Sequence, residues 1–166
     1  MGGRPAIHLN ELCKSGPYSY NDPFGRLLQL DLKTNQLRVV LNGGVSESDS
    51  FMCFSSPDAL TSAKIKGRKY LIISEDTHGN KNGKASAEVI KRNEVYNEVY
   101  FLDIANKNPQ LNTLQRFMMA PEGCETTGNM FTPDGKTYFV SIQHPSADNP
   151  APFNKSSVIA ISGFSK

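Results

Sequence analysis

The 166-residue chain contains no tryptophan and only three cysteines, Cys13, Cys53 and Cys124, none of them in a C-x-x-C pair. An odd count excludes a complete disulfide framework, and a buried free thiol packed as a small hydrophobe is the expected state of each. No apolar run approaches the ~18 residues of a membrane helix. The opening MGGRPAIHLNELCKSG has no apolar core of the signal-peptide kind. A net charge of +2, with lysine and arginine scattered rather than striped, leaves no electrostatic footprint for nucleic acid. There is no G-x-S-x-G elbow, Walker loop, H-E-x-x-H or G-x-G-x-x-G, so serine hydrolase, nucleotide and zincin readings have no foothold.

What the chain does have is short apolar runs separated by turns, with 13 glycines and 10 prolines to make those turns. RLLQLDL (26–32) and LRVVLN (37–42) flank the polar KTNQ and read as a hairpin. RKYLIISED (68–76) is β-branched and aromatic. It leads into a polar stretch, and 77–96 is expected to be a loop insertion. NEVYFLDI (97–104) alternates Val99 and Phe101 on one side with Tyr100 and Leu102 on the other. TLQRFMM (113–119), KTYFVSI (136–142) and SVIAIS (157–162) complete the strands. One helical pattern, ASAEVIKRNEV (85–95), has few apolar positions. The chain reads as all-β and long enough for one domain with a real core.

A repeat organises these strands. CFSSPDALTSAKIKGRKYLIISED (53–76) aligns with CETTGNMFTPDGKTYFVSIQH (124–144), so that Cys53 meets Cys124, Gly67 meets Gly135 and Tyr70 meets Tyr138. Two further strands lie between the units, and a repeating group of four antiparallel strands is a propeller blade. Each repeated hairpin would then be the inner pair of a blade, with 97–104 and 113–119 as an outer pair. Asp134 and Gly135 of PDGK form the turn between the two inner strands. The strands suffice for about two to three blades, whereas a closed ring takes about 4–8. The expectation is a single partial β-propeller domain over 1–166.

Propellers bind ligands where inner strands and their loops meet the central channel. That criterion selects Glu125 at the start of one inner strand and Asp58 at the matching place one blade earlier. It also selects Glu75–Asp76 and Gln143–His144 at the ends of the second inner strands. Carboxylates at converging strand ends are hard oxygen donors suited to Ca²⁺ or Fe³⁺. Taken alone, Asp58 is equally a turn residue, Glu75–Asp76 a solvated loop entry and His144 a hydrogen-bonded rim histidine.

The segment Cys124–Pro145, with its E-T-T-G, F-T-P-D-G-K-T-Y-F-V and I-Q-H-P, resembles the C-terminal signature of the PhoX-type alkaline phosphatases. DPFGRLLQLD (22–31), S-P-D-A-L (56–60) and S-E-D (74–76) match in the same order. The resemblance implies the C-terminal part of a β-propeller phosphomonoesterase with a channel-bound cluster of iron and calcium. Such metals would bind phosphate oxygens and stabilise the transferring phosphoryl group. Carried over by motif, Glu125 is the first metal ligand and Glu75 the second, with Asp58 and Asp76 behind them; Gln143 and His144 are ligands or site support. Family members are several hundred residues long and usually exported to the periplasm or beyond through a twin-arginine signal. The N-terminal half, with the other ligands and the phosphate-contacting basic residues, has no counterpart here. The implied partner is a phosphomonoester, with no nucleic acid and no membrane, and with completion of the ring by oligomerisation as an expectation. Two other readings stand beside it: a calcium-binding propeller fragment without turnover, and a calcium-dependent propeller lactonase.

Overall fold

The computed structural model describes residues 24–45, 53–76 and 96–164. The expected insertion therefore lies outside the described residues apart from Tyr96, as do Cys13 and the 85–95 helical pattern. The first hairpin joins β1 (Arg26–Asp31) to β2 (Gln36–Asn42). Its turn is held by Asp31, whose carboxylate accepts the amides of Lys33 at 2.8 Å and Thr34 at 3.2 Å. Two short strands follow, β3 (Gly44–Val45) and β4 (Cys53–Phe54), paired to each other. The next four, β5 (Pro57–Ile65), β6 (Arg68–Glu75), β7 (Glu98–Asp103) and β8 (Gln115–Met119), form one antiparallel sheet in chain order. A three-stranded sheet closes the list, with β9 (Glu125–Phe131) and β11 (Ser157–Ser162) flanking β10 (Thr137–Gln143).

The β5–β8 meander is a four-stranded propeller blade, and β9–β11 supplies three strands of the next. Their inner hairpins use different turns, two residues between β5 and β6 and five between β9 and β10. Lys66 and Gly67 both have positive φ, 48° and 80°, the requirement of a two-residue type I′ turn. In the longer β9–β10 turn the Gly135 amide donates to the Thr132 carbonyl at 2.8 Å, and Gly135 takes φ 69°. Contacts of β9 with both β5 and β6 set the first strand of one blade against the inner hairpin of the other.

The core explains this order. The two middle strands of the β5–β8 sheet, β6 and β7, are buried on both faces and send alternate residues to opposite sides. Ile73, Tyr100 and Leu102 join Leu27, Leu41, Phe54 and Leu114 in one cluster, which docks the β1–β2 hairpin. Ile72, Val99 and Phe101 join Tyr138 and Val140 in the other, which docks the β9–β11 sheet. The second cluster is aromatic: Phe101 stacks on Phe117 at 4.7 Å and meets Tyr138 edge-on at 6.2 Å. Phe131 and Phe164 extend it, with ring centroids 4.8 Å apart. No helix among the described residues is long and apolar enough to cross a membrane.

Truncating Phe101 should therefore unseat the two sheets together. Phe101→Ala is expected to cost about 3–5 kcal/mol, whereas Leu30→Ala, at a site 52% exposed, should stay within about 0.5 kcal/mol. Midpoints of denaturant unfolding measure both.

Candidate functional site

The residues selected from the sequence gather at one end of the blade but not in one environment. Glu75, the last residue of β6, is 1% exposed. Its two carboxylate oxygens accept different backbone amides, Ser55 at 2.6 Å and Glu98 at 3.0 Å. The side chain thereby ties the segment after β4 to the start of β7. Its main chain is held from the next blade, where the Thr126 hydroxyl donates to the Glu75 carbonyl at 3.1 Å. Glu125 sits one residue before Thr126, half-buried, and pairs in register with Gln143. Asp58 lies in a bulge at the start of β5 and is exposed, so its side chain does not share the buried surroundings of Glu75. Asp76 is half-buried, and its amide donates to the Ser56 carbonyl at 3.0 Å. His144 is exposed with a left-handed backbone, φ 53°, just past the end of β10.

Sequence reasoning passed over the group that lies nearest in chemistry. Glu98 is 4% exposed, and its charge acts directly on Glu75. One of its oxygens meets the Arg116 guanidinium at 3.2 Å, and the other accepts the Tyr100 hydroxyl. Asn97, also buried, donates its side-chain amide to the Cys124 carbonyl. The signal was present in NEVYF as a glutamate opening an otherwise apolar strand, but strand alternation assigns that position no burial until both faces are known to be covered.

Electrostatics follow from the burial. Desolvation pushes the Glu75 carboxyl well above the ordinary glutamate range; the Ser55 amide opposes this, the Glu98 charge adds to it, and the Glu98 amide opposes it again. The Tyr100 hydroxyl is pushed up, first by burial and then by the charges of Glu75 and Glu98. Burial, with help from the same two carboxylates, pushes the Cys53 thiol up to about 12. Cys124 rises to about 11, again chiefly by burial. Both cysteines are free, as expected, and both are neutral thiols at physiological pH.

Two buried carboxyl groups lie in this region, one of them beside the Arg116 guanidinium, and once deprotonated their oxygens are hard donors of the kind that hold Ca²⁺ or Fe³⁺. The chemistry fits a cation in part. Among the described residues, however, no three of His, Cys, Asp and Glu converge as a metal-holding group. Any centre would need further donors.

A family model described as alkaline phosphatase PhoX matches residues 21–146. The chain belongs to the PhoX family. Among solved structures it resembles one described as Pseudomonas fluorescens PhoX in complex with vanadate, a transition state analogue. Identity is 27% and the TM-score 0.61, over 89% of this chain and 28% of that one. The chain thus spans little more than a quarter of the length of the PhoX structure it matches. No curated protein matches it. The family match contains every PhoX position selected above, from Asp58 to His144.

The pH dependence of stability tests the Glu75 environment. A carboxyl raised in the folded state binds its proton more tightly there, so its contribution is fully present below the unfolded value and is lost as pH rises toward the folded one. In the presence of a chelator, the melting temperature should fall as pH rises above the ordinary glutamate range, and Glu75→Gln should flatten that slope. In a Cys13→Ser background, Cys53 and Cys124 should react with a thiol reagent only slowly near neutral pH and rapidly once denaturant is added.

Proposed function

We propose that this chain carries part of the metal site of a phosphomonoesterase of the alkaline phosphatase type. The observation that supports the reading is the family match, which runs through the E-T-T-G and Q-H-P segments around the β9–β10 hairpin. Vanadate mimics the trigonal phosphoryl group in flight, and the PhoX relative was captured with it. The corresponding substrate class for this chain is a phosphate monoester. Glu125 and Glu75 are the residues that would hold a cation, with Asp58 and Asp76 as further oxygen donors and Gln143 and His144 supporting the rim. Ca²⁺ and Fe³⁺ suit that donor set, and when bound they would neutralise charge on the transferring phosphoryl group.

This chain's own residues do the positioning. The Ser55 and Glu98 amides fix both oxygens of Glu75, so its carboxylate does not turn freely. Arg116 and Tyr100 hold Glu98 in its buried place. Thr126 ties the Glu75 main chain to the strand that begins at Glu125, so the two glutamates keep a fixed relation across the blade boundary. A second reading is a fragment without turnover, because no group of three metal-ligating side chains converges among the described residues; to bind calcium as such a fragment, the chain would need donors beyond these.

Hydrolysis of a generic phosphomonoester by the purified chain separates these readings, with Ca²⁺ and Fe³⁺ added or chelated. Metal-dependent turnover inhibited by vanadate, and lost in Glu125→Ala, is the expected result. Calcium binding by titration calorimetry with no turnover under any metal would favour the fragment reading and overturn the catalytic one.

A further inference from the structure

The two glutamates assigned to the cation stand on different sheets, Glu75 at the end of β6 and Glu125 at the start of β9. Two carboxylates share an ion only where their backbones are held in a fixed relation. Thr126 anchors the chain just after Glu125, through its hydrogen bond to the Glu75 carbonyl. The direction of the Glu125 side chain depends equally on the peptide plane before it, because a planar peptide carries the orientation of its carbonyl through to the next Cα. That plane joins Cys124 to Glu125, at the end of the crossover 120–124 between β8 and β9.

Asn97, buried just before β7, grips this crossover at both ends. Its carbonyl accepts the Ala120 amide at 3.0 Å, and its side-chain amide donates to the Cys124 carbonyl. The middle of the crossover is held from the opposite side. There the Glu122 carbonyl accepts the Ser146 amide and the Asn149 side-chain amide, both at 2.9 Å. Gly123, with φ 73°, lets this close approach occur, since a Cβ there would lie 3.3 Å from the Ser146 nitrogen. The residue after Asn97 is Glu98, whose amide donates to the Glu75 carboxylate at 3.0 Å. Adjacent residues therefore reach both glutamates: Glu98 directly, and Asn97 through the peptide that leads into Glu125.

We propose that Asn97 is a positioning residue of the cation site, setting the direction of Glu125 relative to Glu75 through the Cys124 carbonyl. The inference rests on the reading that these glutamates hold a cation, with or without turnover. The residue type suits the task. An amide donates to a carbonyl without adding charge, whereas an ionised aspartate would lose the donor and place another negative charge beside Glu98. A lysine ammonium would compete with the cation for the carboxylates. Partners of this outer kind govern how tightly a metal is held, because they fix the ligand before the ion arrives.

Calorimetric titration of the metal-stripped full chain with Ca²⁺ tests it, so the readout is binding rather than turnover. Asn97→Leu removes the donor at similar volume, and Asn97→Ala removes it by leaving a cavity; near-UV circular dichroism shows which variant keeps native packing. The dissociation constant should rise by about 10–100-fold in either. Leu102→Val and Leu102→Ala, graded truncations at the far end of β7, serve as controls for stability alone. They should lower the denaturation midpoint and leave the constant unchanged. Equal constants in the wild type and the Asn97 variants would overturn the positioning role while leaving the glutamate site standing. So would an affinity that falls in step with the midpoint at Leu102. A wild type that binds no Ca²⁺ would remove the glutamate site and this inference together.

Discussion

The structure depends on two strands, β6 and β7, being buried on both faces. Residues 72 and 73, and residues 99 to 102, feed two separate cores from one pair of strands. Each core then holds a different neighbour: the β1–β2 hairpin on one side and the β9–β11 sheet on the other. A strand exposed on one face can tolerate polar residues at every second position. These two cannot, and so Ile72, Ile73, Val99 and Tyr100 are fully enclosed.

The same enclosure makes the ends of those strands chemically unusual. Glu75 and Glu98 follow or precede apolar runs and are carried into the interior with them. Burying a carboxylate is costly unless donors surround it, and the donors are present as two amides, a guanidinium and a tyrosine hydroxyl. The network spans β4, β6, β7, β8 and the start of β9, so it fastens the complete blade to the next one at the end where the family's motifs lie. Such an arrangement is as well suited to orienting a ligating carboxylate as to joining strands, because the same hydrogen bonds accomplish both.

Membership of the PhoX family gives these features a common setting. The described residues form one four-stranded blade beside a three-stranded sheet and two two-stranded ones, and the chain corresponds to 28% of the PhoX structure it resembles. Blades in a ring bury both faces against one another, and β6 and β7 are enclosed in that way. The strands beside them expose more: Leu60 on β5 and Met119 on β8 are 52% and 53% exposed, and Val158 on the last strand is 70% exposed. Enclosure among the described residues therefore centres on β6 and β7.

Much of the fold was legible in the sequence because short-range physics decides it. Alternation gave β7, apolar runs rich in β-branched and aromatic residues gave β6, β10 and β11, the Asp134–Gly135 turn located one inner hairpin, and the repeat set the blade order. The E-T-T-G and Q-H-P segments pointed to the family because particular residues are required at particular turns and strand ends. The site was legible only in part. Asp58 and Glu75 stand in equivalent-looking strand-end positions, yet one is exposed and the other enclosed. Glu98 resembles an ordinary polar residue at the start of a strand. Burial is set by which sheets stack on which faces, and that is a property of pairs distant in the chain. The sequence by itself determined the strands, their turns and the family. Tertiary structure decided which carboxylates leave water, because only the packing of one sheet on another removes it.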